Sequence, residues 1–311
     1  MNYLIACFFL LISLSGFSYP IEPITLNEMI DISPYVAYGQ VISNYDTISV
    51  KDSERPLTFA TVKIEKMLVG YLQEEEVKIF YEAHFICPSP ANFKMNKMVT
   101  VFFDKKNERY STTGLSYSTS YIDEENLDIY HQRIIDNARI KDLHKGDERE
   151  KLLTDWCIKN LEYEVLKKDA CREIRNALSS YKRTKEDMFM YGVNSNTIDI
   201  INNWTDAHRQ IIKNLVIDDE LNIHNVNALE LLFSDFEEEF KTYLHRTLTN
   251  DIKRKHLYRV KSYMKALFNI NMPSEAISIF EEISETPNIY KLNNDKVVLK
   301  VQRFLDLISD K

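Results

Sequence analysis

Between residues 57 and 115, apolar and polar positions alternate in four short runs: LTFATVKIEKMLVG, EEEVKIFYEAHFICPSP, KMVTVFFDKK and RYSTTGL. Alternation with a period of two sends successive side chains to opposite faces of an extended chain, so each run predicts a half-buried strand. Ala60, Val62 and Ile64 alternate with Thr61, Lys63 and Glu65. Val77, Ile79 and Tyr81 form a second inward set, and Val99, Val101 and Phe103 a third. The β-branched and aromatic run YVAYGQVISNY, residues 35–45, predicts a strand ahead of these, and Arg109–Leu115 one behind them, closed by Gly114. The polar stretch 46–56 reads as a loop. Five strands within about eighty residues leave no space for crossover helices, so the expected sheet is a small, largely antiparallel barrel or roll.

Beyond Asp123 the period becomes helical. Leu229, Leu232, Phe233, Phe236, Phe240 and Leu244 recur at helical spacing, as do Leu257, Val260, Met264, Leu267 and Phe268. Ala276, Ile279, Phe280 and Ile283 follow the start signal Pro273-Ser274, and Val297, Val301, Phe304, Leu305 and Ile308 form the last stripe. The pattern predicts about seven helices joined by polar connections at 145–147, 191–196, 249–251 and 286–294, building a bundle or a short solenoid of helix pairs. PSEAISIFEEISE has the Ala-then-Phe spacing of tetratricopeptide helices, yet a single unit with no repeat fits ordinary amphipathic packing as well.

Glycine usage divides the chain in the same way. Of six glycines, Gly39, Gly70 and Gly114 fall among the strands, where turns and bulges call for φ > 0, and none follows Gly192. The expected fold class is therefore α+β, with a strand domain over 19–122 and an all-helical domain over 123–311.

The first residues read differently. YLIACFFLLISLSGFS, residues 3–18, holds an apolar run of about a dozen residues, short of the roughly 20 that span a bilayer. Small residues Gly16 and Ser18 stand at −3 and −1 of a cleavage after Ser18. This predicts a secretory signal over 1–18, a mature chain beginning Tyr19-Pro20 with no membrane span, and an exported location: periplasm, cell surface or extracellular space.

The net charge of −8 is uneven: residues 19–130 hold 10 Lys/Arg against 17 Asp/Glu, and residues 131–311 hold 29 against 30. Neither part has the basic excess that phosphate backbones or anionic membrane surfaces require, which argues against nucleic acid as a partner.

After signal cleavage Cys87, Cys157 and Cys171 remain, too few for a disulfide scaffold. On one continuous helix Cys157 and Cys171 would lie about 21 Å apart and could not bond. Across a helical hairpin turning near 160–168 they could, the alternative being two small buried side chains.

The stretch 33–118, about a third of the chain, resembles an OB-fold module of the netrin-like kind, the class that includes tissue inhibitors of metalloproteinases. The likeness rests on Tyr38-Gly39-Gln40-Val41, on Val62–Lys66 leading to Leu68-Val69-Gly70, and on Val77-Lys78-Ile79, Cys87-Pro88-Ser89-Pro90, Val99–Phe103 and Thr113-Gly114. It implies a five-stranded barrel in an exported setting. Protease inhibition does not carry over, because those inhibitors chelate zinc through a mature N-terminal cysteine and this chain starts Tyr19-Pro20, without the family's disulfides.

Few residues suggest chemistry. His84 and Cys87 lie three apart, which in an extended segment points them to opposite faces, and no third group positions them. The seven histidines include no HExxH, and Asp123-Glu124-Glu125 and Glu237-Glu238-Glu239 lack the alternating donors and Gly turn of a calcium loop. No phosphate loop or nucleophile elbow is present. Asn203-Trp204-Thr205 fits an N-glycosylation acceptor. No catalytic, cofactor-binding or metal-ligating residue is assigned, and no cofactor is expected.

Tyr110, Tyr117 and Tyr121, interleaved with Ser and Thr, form a candidate contact surface for a protein or glycan, the alternative being half-buried tyrosines packed on their own module. The expected function is that of an exported, non-catalytic binding or scaffold protein. It would use the barrel loops at 46–56 and 84–96 and the segment 110–121. Two alternatives are a helical-repeat adaptor that binds through 123–311, and an enzyme of unfamiliar type with a site between the domains.

Overall fold

A computed structural model describes residues 23–49, 56–84, 89–181, 198–221, 223, 225–234, 237–254, 260, 263–264, 273–285 and 294–309. The leader 1–18, Cys87, the connection 191–196 and the stripe positions Phe236, Leu257, Leu267 and Phe268 lie outside the described residues. The chain separates into two compact units, the described part of the first ending at Leu127 and that of the second starting at Asp128.

The described part of the first unit opens with a helix, α1 (Leu26–Ile32), within a segment whose sequence reads only as an approach to the strands. Its start is a capping box: the Glu28 amide donates to Thr25 Oγ1 (3.2 Å) and the Thr25 amide to Glu28 Oε2 (2.9 Å). Seven residues cannot hold a helix in water alone. Burial of Leu26, Met29 and Ile30 against the strands holds this one.

Six strands follow: β1 (Tyr35–Ile48), β2 (Leu57–Val69), β3 (Glu76–Tyr81), β4 (Met98–Lys106), β5 (Arg109–Thr112) and β6 (Thr119–Ser120). They bond in the order β1-β2-β3-β5-β4-β6, and β1 also pairs with β4, so the first five close a ring. A ring of five strands cannot alternate direction all the way round. One neighbouring pair must be parallel, and it is β3–β5, with Ile79 opposite Tyr110 and Phe80 opposite Ser111; every other pairing is antiparallel.

The alternation read from the sequence becomes the core. Ala60, Val62, Val77, Ile79, Tyr81, Val99, Val101 and Phe103 are buried together with Ala37, Val41 and Phe93. Strand β4 departs from alternation, since Thr100 and Phe102 are buried as well. The helix α1 packs on β4, so both faces of that strand lose water.

Only Gly70 among the three strand-region glycines has φ > 0 (76°). The other two supply space rather than a turn. A Cβ at Gly39 would lie 2.3 Å from the Lys63 carbonyl oxygen, at a β1 bulge, and one at Gly114 would lie 2.4 Å from Met29 Sδ.

The second unit is helical. Its described α-helices are α2 (Glu124–Lys141, which begins in the first unit), α3 (Asp147–Lys159), α4 (Glu164–Ser180), α5 (Ile200–Asn203), α6 (Asp206–Ile217), α7 (Val226–Leu232), α8 (Glu237–Lys253), α9 (Ser274–Glu285) and α10 (Asn294–Ser309). Two expectations are corrected. The stripe from Leu229 to Leu244 is split between α7 and α8, and the polar residues Thr249–Asp251 continue α8 instead of ending it, because Leu248, Asp251 and Ile252 are all buried. α9 and α10 pair antiparallel, with Arg303 on Glu275 (3.1 Å) and Lys300 on Glu282.

Side chains from elsewhere in the unit reach several helix-end carbonyls, and α6 also ends on a local left-handed residue, Asp219 (φ 61°), whose amide donates to the Val216 carbonyl (3.2 Å). Asn225 Nδ2 donates to the Leu178, Ser179 and Tyr181 carbonyls at the end of α4 (3.0, 3.3 and 2.8 Å). Arg133 Nη2 donates to the Trp156 carbonyl in the last turn of α3 (2.8 Å), and Arg209 Nε to Leu232 at the end of α7 (3.2 Å). Arg246 donates to the Ile217 carbonyl that closes α6.

The turn expected near 160–168 is present as a 3-10 turn at Asn160–Glu162 between α3 and α4. Cys157 and Cys171 stand on those two helices as free thiols, Cys157 buried with its Sγ toward the Ala170 carbonyl (3.9 Å) and Cys171 half-buried. Burial pushes both thiols above the usual range, Cys157 well above it.

Candidate functional site

A concave feature of varied chemistry in the first unit sits where β3 and β5 part. Their pairing ends at Phe80 and Ser111, after which β3 ends in a three-residue turn, the Ala83 amide donating to the Tyr81 carbonyl (3.0 Å). The gap that opens is a cleft of about 520 Å³, completed by the start of β2 and by the β4–β5 hairpin.

Its aromatic part follows from strand alternation. With Val77, Ile79 and Tyr81 turned inward, Phe80 must face outward, where it packs on Phe59 of β2 (centroids 5.4 Å apart). A cation closes each end of this aromatic pair: Lys78 Nζ lies 5.2 Å from the Phe59 centroid and Arg109 Cζ 5.9 Å from that of Phe80. Such contacts hold a flexible cation in place while leaving its donors free.

The polar margin carries Lys106, Arg109 and His84, all exposed, against the single acid Glu82. Lys106 Nζ is 3.7 Å from Asp104 Oδ2; Arg109 and His84 form no ion pair among the described residues. Thr58, Ser111 and Thr112 add hydroxyls, and Thr113 Oγ1 is hydrogen-bonded to Ser33 Oγ (2.6 Å).

Two cleft residues hold unusual backbone. Asn107 (φ 48°) and its neighbour Glu108 (φ 63°) form the two-residue turn between β4 and β5, and Leu115 has φ 51°. Asn tolerates that region, whereas for a bulky Leu it is an outlier of the kind that clusters at ligand sites.

Tyr81 forms the inner wall. Its hydroxyl donates to Asn44 Oδ1 (2.7 Å), and its ring meets Phe93 (5.2 Å) and Tyr45 (6.1 Å). Burial, with lesser contributions from Tyr45 and Asp46, pushes its phenol up to about 12.

The tyrosines singled out in the sequence are placed elsewhere. Tyr110 packs on Tyr35 and Phe103, under Lys105, and its hydroxyl donates to Glu74 (3.3 Å). Tyr121 is a clasp: its hydroxyl accepts from the Lys94 amide (2.7 Å) and donates to the Asn92 carbonyl (2.9 Å), with Lys94 Nζ 4.5 Å from the ring. Tyr117 is half-buried in a 3-10 turn at Leu115–Ser118. The structure does not gather the three into one patch with the cleft.

Of the predicted loops 46–56 and 84–96, Pro56 and His84 reach the cleft. The residues that line it most usefully, Phe80 and Arg109, were not singled out, although an outward aromatic in VKIFY was a readable signal. Asn203 is half-buried, its Nδ2 donating to the Asp199 carbonyl (2.8 Å), and Thr205 Oγ1 caps α6. Asp123–Glu125 leads into α2, and Glu239 pairs with buried Lys213 (2.5 Å). Among the described residues no three His, Cys, Asp or Glu converge on a metal position, and no helix is long and apolar enough to cross a membrane. No protein-family model matches the chain, and no curated protein matches it.

Proposed function

We propose that this is an exported, non-catalytic binding protein whose N-terminal unit, a small barrel of the OB type, holds its ligand in the cleft at the end of the β3–β5 pair. One observation carries the reading. The cleft combines a fixed outward aromatic, Phe80, with cations and hydroxyls that the fold itself leaves largely unengaged. Its volume of about 520 Å³ falls within the roughly 300–1,000 Å³ of small-molecule sites. The ring of five strands and its one parallel pair support the OB reading, and barrels of that type bind at the strand 2–3 face and the loops after strands 1 and 4. Pro56, Phe80 and Asn107 stand in those places.

The test is a pull-down from the native envelope or medium with chain 19–311 and its Phe80→Ala/Arg109→Ala double variant. Recovery of a partner or glycan by the parent and its loss from the folded double variant is the expected result. Equal recovery by both would move the binding function off the cleft.

A further inference from the structure

Resting on the cleft as the binding site, we propose that its ligand is an acidic saccharide, a sugar ring bearing a carboxylate. The charge pattern gives the sign. The strand-bearing segment is acidic, 10 Lys/Arg against 17 Asp/Glu over 19–130, yet among the cleft-lining residues Arg109, Lys106 (3.7 Å from Asp104) and His84 stand against one acid, Glu82. A local cationic site on an acidic body favours a single anionic group and repels a polyanion, which excludes a nucleic acid strand as the occupant.

Arg109 selects the anion. Its guanidinium is held against Phe80 at 5.9 Å and has no carboxylate partner among the described residues. A planar fork fixed on one face presents two parallel donors, the geometry that a carboxylate accepts bidentately.

The remaining wall selects a sugar over a peptide. An acidic peptide adding to the sheet needs a continuous extended edge, and at this point β3 ends in a three-residue turn closed by the Ala83 to Tyr81 hydrogen bond. The wall offers instead the hydroxyls of Thr58, Ser111 and Thr112 and the amide of Asn107, which match sugar hydroxyls, while the Phe80 ring suits an apolar sugar face.

The experiment is calorimetric titration of chain 19–311 with a uronate oligosaccharide, its carboxyl-reduced neutral counterpart and a sulfated neutral oligosaccharide of equal length. The uronate is expected to bind at least tenfold more tightly than the neutral form. Arg109→Ala should abolish that preference and Arg109→Lys recover part of it, with circular dichroism unchanged. Tighter binding of the sulfated oligosaccharide would overturn the carboxylate assignment. Equal binding of the neutral form, or binding indifferent to Arg109→Ala, would overturn the acidic-saccharide proposal, as would binding of none of the three. The cleft reading itself survives any of these if the Phe80→Ala/Arg109→Ala variant still loses the partner recovered by pull-down, and fails separately if it does not.

Discussion

The strand unit and the helical unit solve the same problem, how to stop a regular element, by opposite means. In the first, stops are local and backbone-based: Gly70 at φ 76°, the Asn107-Glu108 turn, and bulges along β1 beside Gly39. In the second, several helix ends also draw on donors from a distance: Asn225 on α4, Arg133 on α3, Arg209 on α7 and Arg246 on α6. Composition accounts for part of this: no glycine is left to cap the helices beyond Gly192, and α6 ends instead on Asp219 (φ 61°) beside Arg246, whereas α3 and α4 draw on distant donors although they end before Gly192. A local stop couples stability to one residue's own backbone, whereas a distant one couples it to the packing of two helices.

The largest effect should come from the strand side. Gly39→Val places a side chain where even a Cβ would lie 2.3 Å from the Lys63 carbonyl oxygen and 3.0 Å from Val62. The β1–β2 pairing would have to open, at a cost of about 3 kcal/mol. Hydrogen exchange resolved by peptide should show the loss across β1 and β2. Both tryptophans, Trp156 and Trp204, belong to the helical unit, so a tryptophan-fluorescence transition left in place would show that the units unfold separately. A single transition that shifts by the full amount in both readouts would show that the contrast between the units is only architectural.

Removing a distant cap should cost somewhat less and move the other readout. Asn225→Ala takes away the side-chain donor shared by three carbonyls, those of Leu178, Ser179 and Tyr181, at a position 5 % exposed. An unmet buried acceptor costs about 1–3 kcal/mol, and about 2 is expected here in urea unfolding followed by tryptophan fluorescence. Arg246→Ala is the comparison: its side chain is exposed, water replaces it, and the loss should stay below about 1 kcal/mol. Equal losses for the two would mean that burial does not set the strength of these caps.

This contrast also explains what the sequence made legible. Strand positions were readable because alternation is local and the inward set Val77, Ile79 and Tyr81 is the core itself. Helix ends were not, because the residues that make them lie tens of positions away: nothing near Tyr181 announces Asn225. The polar run Thr249–Asp251 looked like a break, and only the burial of Asp251 and Ile252 inside α8 shows otherwise. α1 was legible in principle, from the T-x-x-E of Thr25 and Glu28. The candidate site was half legible. Phe80 follows from alternation, but the approach of Arg109 to it depends on β5 lying parallel to β3, which ring closure imposes and spacing alone does not reveal.

A similarly small effect at neutral pH, and one confined to the strand unit, concerns Tyr81. Tyr81→Phe removes the hydrogen bond to Asn44 Oδ1 (2.7 Å) and should cost about 1 kcal/mol at pH 7. The larger difference lies in alkali. Below pH 10 the phenol is protonated whether the chain is folded or not, and its contribution is constant. As pH rises from 10 towards 12, an unfolded chain releases a proton that the folded unit retains, because burial holds the group near 12. Unfolding is then favoured by each increment of pH, and on the order of 2 kcal/mol of stability is lost across that window. Burial raises Tyr110 and Tyr121 in the same direction, so a residual slope remains in the variant. Hydrogen exchange of the strand peptides between pH 9.5 and 11.5, corrected for the intrinsic rate, should therefore show the parent's stability falling towards and then below that of Tyr81→Phe. Parallel curves would mean that the Tyr81 phenol ionises in the folded unit as freely as in water.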